Sequence, residues 1–182
     1  MHINELLTHH GLDTTSWGKD GAKDVDELQR EVCNGESQFV QNGEVLQRLL
    51  RVVEASIYYT DKSGDTYRLA EEKQVMRSGV KRVRTELASV SMAEKMKVNE
   101  YALQALWRGI KEELGIGKED YRVISGPQIY YKERTSNSYP GLRTRYEIAR
   151  YVIELAPQAY IADGYIEEQL DKSVHFSWSR DI

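Results

Sequence analysis

The sequence predicts a mixed α and β fold, and three stretches carry that expectation. Leu49 to Thr60, LLRVVEASIYYT, is dense in β-branched and aromatic residues and reads as a central strand. Arg143 to Leu155, RTRYEIARYVIEL, sets Tyr146, Ile148, Arg150 and Val152 against Glu147, Ala149, Tyr151 and Ile153, the period of a second strand. Between them Leu103, Leu106, Ile110 and Leu114 fall at i, i+3, i+7 and i+11, one apolar stripe of an amphipathic helix. Gly115 directly after the stripe is a helix stop.

The 182 residues suit one domain with a full core, divided here into an N-terminal helical extension (1–43) and a main domain (44–182). Apolar residues at 40% and charged residues at 30% describe an ordinary water-soluble composition. A net charge of −4 argues against a nucleic-acid binder that works through general electrostatics. The single cysteine, Cys33, excludes an intramolecular disulfide and a cysteine metal cluster. No apolar run is long enough to span a membrane and no secretory leader is recognisable, so the cytoplasm is the expected location.

Along the chain, Met1 to Gly21 has no clear period and reads as a loosely packed segment. His9 and His10 are neighbours without a second pair at ligand spacing. Lys23 to Val32 reads as a helix closed by Asn34-Gly35, and Asn42-Gly43 as a turn. Asp61 to Asp65 is a hairpin turn, with Thr66 to Leu69 returning. Arg77, Lys81, Arg82 and Arg84 cluster in a loop, and Thr85 to Val90 reads as a short strand. The small residues Ser89, Ser91 and Ala93 suit backbone that approaches a ligand. Tyr121 to Tyr131 reads as a strand broken at Gly126-Pro127, and Ser136 to Leu142 as a polar loop. Gly164 to Leu170 reads as a helical turn and Ser173 to Trp178 as a late strand.

Chemistry concentrates between Glu94 and Ile116. In helical projection Glu112 lies opposite the apolar stripe and Glu113 to one side, with Gly109 between them and Ala102 and Ala105 nearby. Adjacent carboxylates facing away from a packing surface suit a hard divalent cation, which takes carboxylate oxygens and completes its shell with water and phosphate.

This stretch resembles the Nudix box, G-x5-E-x7-R-E-U-x-E-E-x-G-U with U a bulky aliphatic residue, and aligns with it without a gap. Glu100 takes the first glutamate, Arg108 the arginine, Ile110 the aliphatic, Glu112 and Glu113 the paired glutamates, and Gly115-Ile116 the end. Two positions depart. Glu94 stands where the family has glycine, and Gly109 where it has the glutamate after the arginine.

The resemblance implies a Nudix-type α/β/α sandwich with a mixed β-sheet. It implies Mg²⁺ or Mn²⁺ held by Glu112, Glu113 and Glu100, with Arg108 holding the paired carboxylates in place. The activity implied is hydrolysis of a nucleoside diphosphate linked to another group. In the family the glutamate after the arginine completes the metal site or acts as base, so its loss at Gly109 asks for a replacement carboxylate. Glu147 and Glu154 are the candidates, with Glu133 behind them; Glu154 is carried forward as catalytic. Arg77, Lys81 and Arg82 are expected to steady the phosphates. Restoring a glutamate at 109 is expected to raise hydrolysis. The alternative is a weakened Nudix-like module that binds a nucleotide or a protein partner, which Glu94 and Gly109 favour. The sequence leaves the oligomeric state open, with a homodimer as one assembly the resemblance allows.

Overall fold

The computed structural model describes residues 3–42, 45–83 and 90–181. The turn expected at Asn42-Gly43 falls partly outside them, as do Arg84 and nearly all of the strand expected over Thr85 to Val90. The architecture is α/β, as expected. Among the described residues three α-helices, α1 (Ile3–His9), α2 (Val25–Cys33) and α3 (Ala102–Leu114), accompany a nine-stranded sheet. Its strands are β1 (Gln38–Asn42), β2 (Val45–Thr60), β3 (Thr66–Met76), β4 (Lys81–Arg82), β5 (Met92–Lys95), β6 (Tyr121–Thr135), β7 (Arg143–Leu155), β8 (Tyr165–Glu168) and β9 (Lys172–Arg180). The order is β6-β7-β2-β3-β9-β8, with β1 and β5 also paired to β2 and β4 to β3.

The sheet is mixed. β2–β3, β3–β9 and β8–β9 are antiparallel ladders. Across β2 and β7, Arg51 bonds Glu147 and Glu54 bonds Arg150, the same separation of 96 residues each time. Partners that advance together mark a parallel pair. Among the described residues no helix is long and apolar enough to cross a membrane.

The chain divides into two compact units, and β2, β6 and β7 each contribute residues to both. The first unit holds residues 1–52, 95–100 and 129–148. The segment expected to be loose is ordered in it. Ile3 and Leu7 of α1 are buried together with Trp17, Leu28, Leu46, Tyr139 and Leu142. Ile3, Leu6 and Leu7 stand at i, i+3 and i+4, but one such turn is marginal alone and the long-range packing of Ile3 and Leu7 holds the helix. Trp17 donates its indole N–H to the Pro140 carbonyl at 2.9 Å and packs against the Tyr139 ring. α2 starts at a capping box, in which the Asp24 side chain accepts from the Glu27 N–H and Glu27 accepts from the Asp24 N–H.

One ionic cluster lies inside this unit. Glu31 is buried and bonds Arg48, Lys95 at 2.6 Å, Lys23 at 2.8 Å and the Ser37 hydroxyl at 3.0 Å. Burial alone raises its carboxyl pKa, but the charges of Lys95 and Arg48 and the bonds from the two lysines outweigh that and bring it down to about 2.

The second unit holds residues 53–94, 101–128 and 149–182. Val53, Ala55 and Ile57 of β2, Leu69 of β3, Ile153 of β7 and Phe176 of β9 are buried in it. Residues 165–168, expected as a helical turn, form β8 and pair with β9. Gly164 at φ 81° permits that turn, since a Cβ there would stand 1.9 Å from the Phe176 carbonyl oxygen. Ser91 does not line a ligand surface. It is buried, and its hydroxyl accepts from the Ile57 N–H at 2.8 Å and donates to the Leu69 carbonyl.

A carboxylate with a depressed folded pKa stabilises the fold above its unfolded pKa and loses that contribution as pH falls towards the folded value. Glu31 therefore makes stability fall between about pH 4.5 and about pH 2. Glu31→Ala strands Arg48 and is expected to cost about 3–5 kcal/mol at neutral pH. Denaturant titrations across that range should also show a flatter acid limb for the variant.

Candidate functional site

The site grows from α3. Leu106, Ile110 and Leu114 of the expected stripe are buried, while Leu103 is 36% exposed. The buried surface extends instead to Ala105 and Gly109. This reverses the expectation for Gly109, which projection placed on the open side between the two glutamates. Small residues at 105 and 109 leave a shallow flank on the helix, and β5 approaches there. A Cβ at 109 would stand 2.5 Å from Met92 Cε, 3.0 Å from Glu94 Cβ and 3.2 Å from Glu94 Cγ. A side chain at 109 would have to displace the Met92 methyl and press on Glu94, so packing favours a glycine inside this helix despite its propensity cost of ~1 kcal/mol. A glutamate at 109 would crowd Glu94 while that residue keeps its side chain.

Glu94, the other departure from the box, occupies the volume that Gly109 leaves. Arg108 Nη1 donates to Glu94 Oε1 at 2.9 Å and to Glu112 Oε2 at 3.2 Å. One guanidinium therefore joins a strand carboxylate to a helix carboxylate. The Glu112 pair is an i, i+4 contact along α3, the geometry one helical turn supplies. Exposure orders the three: Arg108 and Glu94 are largely enclosed, whereas the Glu112 side chain is 58% exposed. Glu113, half-buried, follows on the same helix. α3 ends where expected, at Gly115 with φ 71°, whose N–H returns to the Lys111 carbonyl.

The other expected site residues are placed as follows. Glu100 belongs to the first unit, where its carboxylate accepts the Lys97 N–H at 2.8 Å and its carbonyl accepts from Arg51. Glu147 accepts from Arg51 Nε at 3.2 Å in that unit, and Glu133 is exposed on β6. Glu154, in the second unit, is bound by Arg122 through Nη2 at 2.6 Å and Nε at 2.9 Å, and accepts from the Thr60 hydroxyl. The Arg122 bonds hold its carboxyl below the usual range. Glu154 and Arg122 line an open cavity of about 400 Å³ with Tyr121 and Pro157. Lys81 and Arg82 form β4, exposed and paired to β3, and the Arg77 N–H donates to the Asp171 carbonyl. Lys95, the residue after Glu94, is bonded to Glu31 and Glu36.

The residue that composition and spacing missed is Glu94 as a functional side chain. Its one signal was that both departures from the box exchange the same two residue types. Among the described residues no group of three or more His, Cys, Asp or Glu stands ready to hold a metal. The carboxylates of Glu112 and Glu113 are still of the right chemistry for Mg²⁺, which takes one or two carboxylates and fills its shell with water and substrate phosphates.

No family model matches the chain, and no curated protein matches it in sequence. Several solved structures resemble it. A C. elegans Ap4A hydrolase binary complex shares 13% identity at a TM-score of 0.41, over 72% of this chain and 78% of that one. RenU, a Nudix hydrolase from M. smegmatis, shares 13% at 0.39, over 71% and 69%. The NUDIX domain of Shewanella oneidensis NrtR, complexed with ADP ribose, shares 10% at 0.41, over 84% and 82%. At TM-scores near 0.4 these likenesses decide nothing about the site, which stands on its own residues.

Gly109→Ala is expected to destabilise the protein, against the usual gain for that change in a helix, because the added methyl meets enclosed Met92 and Glu94. The net loss is about 1 kcal/mol, the lower end of overpacking costs, and thermal melting measures it.

Proposed function

We propose that the chain is a divalent-metal-dependent hydrolase of a nucleoside-diphosphate-linked substrate. The observation that carries this reading is Glu112, held by Arg108 yet open to solvent, beside Glu113 at the end of a helix whose opposite side is anchored in the core. A rigid element that presents carboxylates to solvent suits a cation that a phosphate brings with it.

Glu112 and Glu113 would hold Mg²⁺, or Mn²⁺ in its place. When bound, the ion would neutralise pyrophosphate oxygens and lower the pKa of an attacking water. Arg108 keeps the Glu112 carboxylate in one orientation, so that less ordering remains to be done when ligand arrives. Glu154, ionised in its pair with Arg122, has the charge state of a proton acceptor at low basicity. Arg77, Lys81 and Arg82 supply positive charge for the phosphates. The cytoplasm and a homodimeric state belong to this proposal as well.

The test is phosphate release, coupled to a phosphatase, from nucleoside triphosphates, nucleotide sugars, ADP-ribose and dinucleotides, with Mg²⁺, Mn²⁺ or chelator. Turnover is expected with metal only, and the Glu112→Gln, Glu113→Gln variant should lose both turnover and the metal-induced rise in melting temperature. Arg108→Ala should cost roughly 10–100-fold in metal affinity or activity, as the loss of a group that orients a ligand does. Silence across the panel, with a nucleotide still raising the melting temperature, would replace the hydrolase with a binding module.

A further inference from the structure

Positions 94 and 109 compete for a single volume. A Cβ on 109 would fall 3.0 Å from Glu94 Cβ and 3.2 Å from its Cγ, closer than side chains ordinarily pack. Side chains on both positions would force one of them to shift. Here the strand carries the side chain and the helix does not. The carboxylate that fills the volume bonds Arg108 at 2.9 Å, and that guanidinium bonds Glu112 at 3.2 Å. Glu94 is also more enclosed than Glu112, so its bond to Arg108 is screened less by water. The anchor of the arginine is thus on the strand, and its solvent-facing end is on the helix.

We propose that Glu94 is a positioning residue of the site, and that Glu94 and Gly109 are a reciprocal exchange. The carboxylate that a box of this type places on the helix after the arginine is supplied by the neighbouring strand, through the opening that glycine leaves. Glu94 fixes Arg108, and Arg108 fixes Glu112. The two departures from the box then constitute one compensated change, and the site is rebuilt instead of lost. This rests on the hydrolase reading above for what Glu112 does, while the exchange itself rests on packing.

The exchange predicts non-additivity, because residues that share one volume and one partner couple strongly. The experiment compares Glu94→Gln, Glu94→Gly, Gly109→Glu and the double swap Glu94→Gly with Gly109→Glu in the full chain. It measures metal-free melting temperature, Mn²⁺ affinity by electron paramagnetic resonance, and kcat and KM on the best substrate of the panel. Gly109→Glu should melt lower, since it puts two side chains in one volume. Glu94→Gln, which keeps the shape and loses the charge, should melt within a few degrees of the native chain yet bind Mn²⁺ about 10-fold more weakly. Its kcat should fall with KM little changed. The double swap should recover Mn²⁺ affinity and melting temperature relative to both of its single variants. Native-like Mn²⁺ affinity in Glu94→Gln would overturn the positioning role, and a double swap no better than its singles would overturn the exchange. Should the double swap fail to fold, that too counts against the exchange, and Glu94→Gln still decides the role. A native chain that neither binds Mn²⁺ nor turns over any substrate removes the hydrolase reading and the positioning role together, whereas the melting cycle judges the exchange in either case.

Discussion

The site depends on how closely α3 lies against β5. The Met92 and Glu94 side chains come that near because residue 109 carries none of its own. Because the helix sits close, Met92 is sealed beneath it, and the Glu94 side chain must pass beside residue 109 to reach polar company. Arg108 is the polar group within reach, and it is already tied to Glu112 by the helical repeat. One packing constraint thereby sets the contact between strand and helix, the direction of the arginine and the presentation of the outer carboxylate.

The first unit uses charge differently. Glu31 is surrounded by Arg48, Lys95 and Lys23, so a buried carboxylate survives only because cations and a hydroxyl replace the water it has lost. Lys95 is the residue after Glu94, and the two side chains turn to different partners, as alternation along a strand requires. A basic residue next to a candidate site therefore serves the fold and not a ligand. The same distinction applies to Ser91, whose small size reflects a buried hydroxyl joining β2 to β3.

Local chemistry made much of the framework legible. β7 spans the same residues as its alternating pattern, and α3 stops at the glycine that signals it. The acid-rich turn from Asp61 to Asp65 connects β2 and β3 as a hairpin. Legibility failed where the deciding partner is distant in sequence. α1 has few residues, and its apolar ones matter only against Trp17, Leu28 and Tyr139. β8 carries charged and apolar residues without a clear period, and its pairing to β9 gives it its form. Projection also misassigned Gly109, because a helical wheel ranks positions by polarity and cannot register a flank that is buried for being small.

By itself the sequence determined the α/β class, the helix with its stop, and the order Arg108, Glu112, Glu113 along that helix. Those follow from periods of two and 3.6 and from residue types, which are local properties. Tertiary structure alone decided that Glu94, fourteen residues before Arg108, is the partner of that arginine, and that Gly109 is its complement. Both outcomes turn on a volume shared by a strand and a helix, and no pattern within either segment records how closely the two will pack.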